Sequence, residues 1–214
     1  MKKKIGVVRF PGTNCDRDVL EMVQAKDFEG EYLWHLDRFD GTRFEALILP
    51  GGFSYGDYLR SGALAAKSPV MDSVREFARR GGPVLGICNG FQILTEAGLL
   101  PGALVRNEHR RFVDDWVELE VWNTHGFFAR EAAPRQTVKL PVAHGDGRFY
   151  ASADEMKRLH DEGQVWLKYK VNCNGSLRDV AGVFNREKNV AGLMPHPERA
   201  LYSWMGGTDG WSFL

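Results

Sequence analysis

Short apolar runs alternate with segments of helical period over most of the chain. Ile5-Gly6-Val7-Val8 reads as a buried strand, and Asp16–Ala25 follows with Val19, Met22 and Val23 on one face. Tyr32–His35 reads as a second strand. Ala46–Leu49 reads as a third, an uninterrupted apolar run suited to the centre of a parallel sheet. Val70–Arg80 carries Val70, Val74, Phe77 and Ala78 at helical spacing and is stopped by Gly81-Gly82. Pro83–Ile87 reads as a fourth strand and Asn89–Ala97 as a helix ended by Gly98. Strand and helix alternating in this order predict an α/β fold with a mostly parallel central sheet and helices on both faces.

Beyond about Arg111 the period changes. Trp116–Trp122 and Thr137–Val142 alternate in period two, as half-buried antiparallel strands do. Ala153–Glu162 reads as a helix. Val165–Tyr169 then leads through the turn dipeptide Asn174-Gly175 to strands at Asp179–Phe184 and Val190–Met194. No repeat, low-complexity tract or linker marks a boundary, so residues 1–214 are expected to form a single domain.

The composition removes several functional classes. At 214 residues and 43% hydrophobic, the chain can bury a core without disulfide or metal staples. Lys plus Arg and Asp plus Glu are 28 each, and a neutral chain is a poor tracker of nucleic-acid phosphates. The one basic cluster, Lys2 to Lys4, reads as a solvated strand entrance. No apolar run approaches the roughly 18 residues of a membrane span, and Arg9 cuts short any signal-peptide core, so a cytosolic protein is expected. Cys15, Cys88 and Cys173 are odd in number and far apart, which argues against both a disulfide framework and a closed metal site.

Three loops carry candidate chemistry. Gly86-Ile87-Cys88-Asn89-Gly90 joins a buried strand directly to a helix, the form of a nucleophile elbow with small residues two before and two after the nucleophile. The helix beginning at Asn89 would aim its free N–H groups at the sulfur, favouring thiolate. A buried structural cysteine between packing glycines fits the same pentapeptide. Pro50-Gly51-Gly52 follows the third strand, where backbone N–H groups unshielded by a Cβ can approach a ligand. If strands three and four are neighbours, these N–H groups and that of Asn89 can form an oxyanion hole; a plain tight turn is the alternative. In Met194-Pro195-His196-Pro197-Glu198 the prolines hold the chain extended, so His196 and Glu198 point to one side, as an orienter and base would. Cys15, in the loop after the first strand, has no His-x-Glu companion nearby in sequence and reads as structural.

Together these loops resemble the class I, triad-type glutamine amidotransferases. The likeness narrows to the glutaminase subunits that feed ammonia to the synthetase acting on formylglycinamide ribonucleotide in purine biosynthesis. The matching stretches are Pro11–Asp16, Gly51–Arg60, Cys88–Gln92, Gly98–Gly102, Ala143-His144-Gly145, Asn174-Gly175-Ser176 and Met194–Arg199. Asp146 departs from a more usual Glu, and Cys173 from a frequent Pro. The resemblance implies a flavodoxin-like fold in which Cys88 is the nucleophile and His196 and Glu198 complete the triad. It further implies that Gly52 and Asn89 supply the oxyanion N–H groups and that Gly51 and Gln92 bind glutamine. It implies no metal or cofactor in this chain, ATP and magnesium being used by a synthetase partner, and a small third subunit in the complex. Two other readings fit the same residues: a cysteine-elbow hydrolase of the wider, protease-like superfamily, and a non-catalytic glutamine-binding scaffold.

Overall fold

The structure is a computed structural model that describes residues 3–214. Among the described residues, eleven strands and four α-helices follow in chain order. They are β1 (Lys4–Arg9), α1 (Asp16–Ala25), β2 (Glu29–Trp34), β3 (Ala46–Leu49), α2 (Val70–Arg79), β4 (Val84–Ile87) and α3 (Asn89–Glu96). Then come β5 (Ala103–Val105), β6 (Val113–Val121), β7 (Thr137–His144), β8 (Arg148–Tyr150), α4 (Ala153–Asp161), β9 (Val165–Tyr169), β10 (Val180–Phe184) and β11 (Val190–Leu193).

Nine strands form one sheet in the order β2-β1-β3-β4-β11-β10-β9-β6-β7. The β2-β1-β3-β4-β11 half is parallel throughout. The remaining pairs are antiparallel. This is the α/β architecture that the alternating pattern predicts, and the change of period near Arg111 corresponds to the change of strand direction. The antiparallel half continues the same sheet through the β11–β10 pair.

Burial explains the two patterns. β3, β4 and β11 are buried at every residue, as strands covered on both faces must be. β7 instead alternates exposed and buried along Thr137–Leu140, because one face meets solvent. α1 buries Val19, Met22 and Val23, and α2 buries Val70, Val74, Phe77 and Ala78. Two short strands, β5 and β8, pair into a separate small sheet; at three residues each they show no readable period in the sequence. The Asn174-Gly175 turn lies inside a long loop between β9 and β10 rather than closing a two-residue hairpin. Lys3 and Lys4 sit at the entrance of β1 and pair with Glu45, Glu29 and Glu31, while Lys2 lies outside the described residues.

Strand order decides where chemistry can occur. β4 lies between β3 and β11, with Leu49 opposite Gly86 and Leu193 opposite Ile87. Three loops leaving three adjacent parallel strands at their carboxyl ends therefore converge, which is where open α/β sheets bind ligands.

Candidate active site

β4 runs into α3 at Cys88 with φ 49° and ψ −104°, a left-handed conformation that costs a non-glycine residue about 1–3 kcal/mol. The flanking glycines make this turn possible. A Cβ on Gly86 would lie 2.6 Å from the Gly90 carbonyl, and one on Gly90 would lie 1.9 Å from the Leu49 carbonyl oxygen of β3. The elbow thus folds back on itself and presses α3 against the neighbouring strand. Cys88 N–H donates to the Leu193 carbonyl at 2.8 Å, which extends the β4–β11 ladder to the turn.

The loop after β3 lies beside this elbow. Gly52 has φ 141°, and a Cβ there would meet Gly12 O at 2.7 Å and Asn14 N at 2.8 Å. Backbone bonds from Cys15 N to Gly51 O, Phe53 N to Gly12 O and Tyr55 N to Pro11 O stitch it to the loop after β1. Asn89 fixes the other side: its Oδ1 accepts from Ser54 N at 3.1 Å and its Nδ2 donates to Gln92 Oε1 at 2.9 Å. Gly52 and Asn89 are therefore held together by a side-chain clamp, with Asn89 at the first position of α3, where backbone N–H groups lack helical acceptors.

His196 and Glu198 leave the end of β11. Pro197 opens a short 3-10 turn, Pro197–Arg199, and His196 is extended at φ −105°, ψ 96°. Glu198 Oε1 and His196 Nδ1 are 2.6 Å apart, with the side chains 0% and 2% exposed. His196 Nε2 and Glu198 Oε2 are buried without a hydrogen-bond partner. Burial disfavours the charged imidazole, but the charges of Glu198 and Cys88 and the nearness of the Cys15 and Cys88 sulfurs outweigh it and raise the His196 pKa well above its ordinary value.

Of the two residues expected to bind glutamine, one lies behind the site and the other lies in its wall with its amide already engaged. Gly51 does not line the cleft; a Cβ there would lie 2.6 Å from His196 Cε1 and 3.1 Å from Cys15 Sγ, so the glycine provides clearance behind the histidine. Gln92 does line the cleft, but its Nε2 already donates to Asp146 O at 2.7 Å while its Oε1 accepts from Asn89. Its amide ties α3 to the loop after β7.

Cys15 does have a His-x-Glu companion, contrary to its sequence reading. It shares the dyad of Cys88: donor atoms of Cys15, His196 and Glu198 lie within 4.8 Å of one another. Arg199 Nη2 donates to Cys15 Sγ at 3.0 Å. The sequence separation conceals this because β1 neighbours β3 only in the folded sheet. The three donors could hold a metal ion, although the short His196–Glu198 hydrogen bond already engages two of them.

Cys88 opens onto a cleft of about 190 Å³ whose wall includes Gly52, Gln92, Ala143, His144 and Asp146. Asp57, Ser61, Arg106 and Phe112 also line it, and of these only Asp57 belongs to a stretch singled out as a motif. His144 is 3% exposed, and burial lowers its pKa to about 4. Burial, reinforced by the charge of Asp146, raises the Asp57 pKa to about 6 against a hydrogen bond from Ser61.

A sheet of this order, with a cysteine elbow at its centre and a buried His-Glu pair just past the end of the next strand, defines a triad-type amidotransferase domain. Residues 2–209 match the CobB/CobQ-like glutamine amidotransferase domain family, and the chain belongs to it. It is 52% identical over 207 residues to a phosphoribosylformylglycinamidine synthase subunit PurQ of Prochlorococcus marinus strain MIT 9312, covering 96% of this chain and 93% of that one. It is 50% identical over 215 residues to the subunit of the same name from Thermus thermophilus, covering 97% and 94%. Among solved structures it is similar to a chain of PurLQS from Thermotoga maritima, at 43% identity and a TM-score of 0.91 over 99% of this chain and 95% of that one. A glutamine amidotransferase of Thermotoga maritima at 19% identity and a TM-score of 0.63, covering 94% and 78%, shares the fold. Among the described residues no helix is long and apolar enough to cross a membrane.

Proposed function

We propose that the chain is the glutaminase subunit of phosphoribosylformylglycinamidine synthase. It hydrolyses glutamine to glutamate and ammonia and passes the ammonia to a synthetase subunit. There ATP activates the amide of formylglycinamide ribonucleotide, and ammonia replaces its oxygen to give the amidine of purine biosynthesis. ATP and magnesium belong to the synthetase, a small third subunit joins the complex, and this chain works in the cytosol with no metal or cofactor of its own. The observation that carries the reading is Cys88 on its strained elbow, between the Gly52 loop and the buried His196–Glu198 pair.

The chemistry follows from the geometry. The Cys88 thiolate adds to the side-chain amide carbon of glutamine. The N–H groups of Gly52 and Asn89 stabilise the oxyanion, aided by the positive end of α3. His196, held charged by Glu198, gives its proton to the departing nitrogen, so ammonia leaves and a γ-glutamyl thioester remains. The now neutral His196 takes a proton from water, the hydroxide adds to the thioester, and collapse releases glutamate and the Cys88 thiolate. The strain at Cys88 and the fixed dipoles are set before substrate arrives, so little reorganisation accompanies the transition state.

The test measures ammonia release from glutamine by the chain alone and by the chain with a synthetase subunit, ADP and acceptor nucleotide. Glutamine-dependent synthesis by the complex is expected. A complex that uses free ammonia but never glutamine, although assembled, overturns the reading in favour of a non-catalytic scaffold.

A further inference from the structure

The acyl-transfer chemistry leaves one buried sulfur without a task. Cys15 is 1% exposed, and no step of the proposed mechanism uses it. Its side chain is nonetheless engaged on two sides. The S–H donates to Asn14 Oδ1 at 3.5 Å, and the sulfur accepts from Arg199 Nη2 at 3.0 Å. The guanidinium is only partly exposed, and its Nε lies 3.7 Å from Asp18 Oδ2 near the start of α1.

The place of that sulfur matters more than its bonds. A Cβ on Gly51 would lie 2.6 Å from His196 Cε1, 3.1 Å from Cys15 Sγ and 3.3 Å from His196 Nδ1. The sulfur and the Nδ1–Cε1 edge of the imidazole therefore converge on one point behind the ring, where Gly51 leaves room for both. Cys15 N–H donates to Gly51 O at 3.3 Å, which fixes the loops after β1 and β3 against each other. The imidazole needs such a support. Glu198 holds it at Nδ1 alone, and the terminal torsion of a histidine is broad, so one hydrogen bond lets the ring pivot. Pivoting would swing Nε2, the nitrogen left to exchange the proton in the proposed mechanism. One short turn, Pro197–Arg199, supplies both constraints: Glu198 reaches Nδ1 and Arg199 reaches the sulfur.

We infer that Cys15 and Arg199 are positioning residues for His196. Arg199 holds the sulfur, the sulfur braces the Nδ1–Cε1 edge, and Nε2 keeps one direction through both proton transfers. The inference rests on the glutaminase reading and adds to it two residues outside the lining of the cleft. Misplacing a reacting group by about 1 Å can cost about 10²-fold in rate, which is the scale such a brace protects.

The experiment measures kcat and KM for glutamine with the chain assembled with its synthetase, and ammonia-dependent synthesis to show that each variant assembles. Cys15→Ala removes the sulfur. Cys15→Ser is close to it in volume but keeps a group that accepts from Arg199 and donates to Asn14. Cys15→Ala should lower kcat by about 10- to 10²-fold while KM stays within about twofold. Cys15→Ser should recover most of that loss, to within about threefold of the parent, since it exchanges one pair of hydrogen bonds for another. Arg199→Met keeps the aliphatic stem and should lower kcat by about tenfold; combined with Cys15→Ala, the two losses should not multiply. Equal losses in Cys15→Ser and Cys15→Ala overturn the inference, because packing alone then matters. So do losses that multiply, or a change confined to KM. If Cys15→Ala does not assemble, the partly exposed Arg199 decides, and an unaltered kcat in Arg199→Met overturns the inference by itself. A parent complex that uses ammonia but never glutamine overturns the glutaminase reading instead, so the two failures are distinguishable.

Discussion

His196 Nδ1 and Glu198 Oε1 lie 2.6 Å apart, with both side chains shut away from solvent. Glu198 therefore stabilises the charged imidazole and engages its Nδ1, leaving Nε2 without a partner. Replacing Glu198 by Gln keeps the volume but removes the charge and permits the wrong tautomer. The expected outcome is a fall of about 10³–10⁴-fold in kcat for glutamine hydrolysis, by analogy with amide substitution in the serine-protease triad. Steady-state kinetics on the assembled complex check this, and a loss confined to KM would contradict it.

Cys88, the proposed nucleophile, sits on a strained backbone, and substitution separates the two properties. Cys88→Ala should abolish glutamine-dependent synthesis while the complex still uses ammonia, because in the proposed mechanism the thiol only generates ammonia. Cys88→Gly should be equally inactive but more stable than Cys88→Ala. Relief of about 1–3 kcal/mol of strain at φ 49° exceeds the entropic cost of glycine, about 0.4–1 kcal/mol. Calorimetry should place the glycine variant higher in Tm by about 2–4 °C per kcal/mol gained.

The proposed oxyanion donor is the N–H of Gly52, whose φ of 141°, with Gly12 and Asn14 in close contact, leaves no room for a side chain. Gly52→Ala should displace the loop and remove one donor, lowering kcat by about 10²–10³-fold. A kcat within threefold or so of the parent would show that this N–H takes no part.

Accessibility alone misranks the three thiols. Cys173 is the most exposed, yet partial burial pushes its pKa up to about 11, so little thiolate is present near neutrality. Cys15 is buried behind Gly51, whereas Cys88 opens onto the cleft. A chloroketone or diazoketone analogue of glutamine should label Cys88 ahead of the other two, as read by peptide mass mapping. Dominant labelling at Cys15 would transfer the nucleophile to the loop after β1.

Asp57 makes stability depend on pH in a defined direction. Its pKa rises from 3.8 to about 6 on folding, so between these values the folded chain binds the proton that the unfolded chain has released. Stability therefore falls as pH rises through that window, and the cost is complete above it. Asp57→Asn should unfold at a higher temperature than the parent near about pH 8 and at a similar one near about pH 4. Thermal scans at the two values decide; a variant less stable at both has lost packing instead.

Local sequence determined the elements because their signals are local. The apolar runs of β3 and β4, the helical face Val19-Met22-Val23 and the period-two alternation after Arg111 each follow from which atoms a strand or helix must hide. The elbow at Cys88 and the extended backbone of His196 were legible for the same reason, since small neighbours and a following proline restrict only nearby dihedrals, whereas Glu198 is brought to the histidine by a 3-10 turn and not by an extended segment. Tertiary structure alone decided what these pieces face. The order β1-β3-β4-β11 places Cys15 against the dyad, and turns Gly51 into clearance for His196. Likewise, packing of the β7 loop against α3 commits the Gln92 amide to Asp146 and brings Asp57, Asp146 and His144 around one cleft. Pairing between strands far apart in the chain depends on how the whole sheet buries its faces. No period or spacing within one segment encodes that choice.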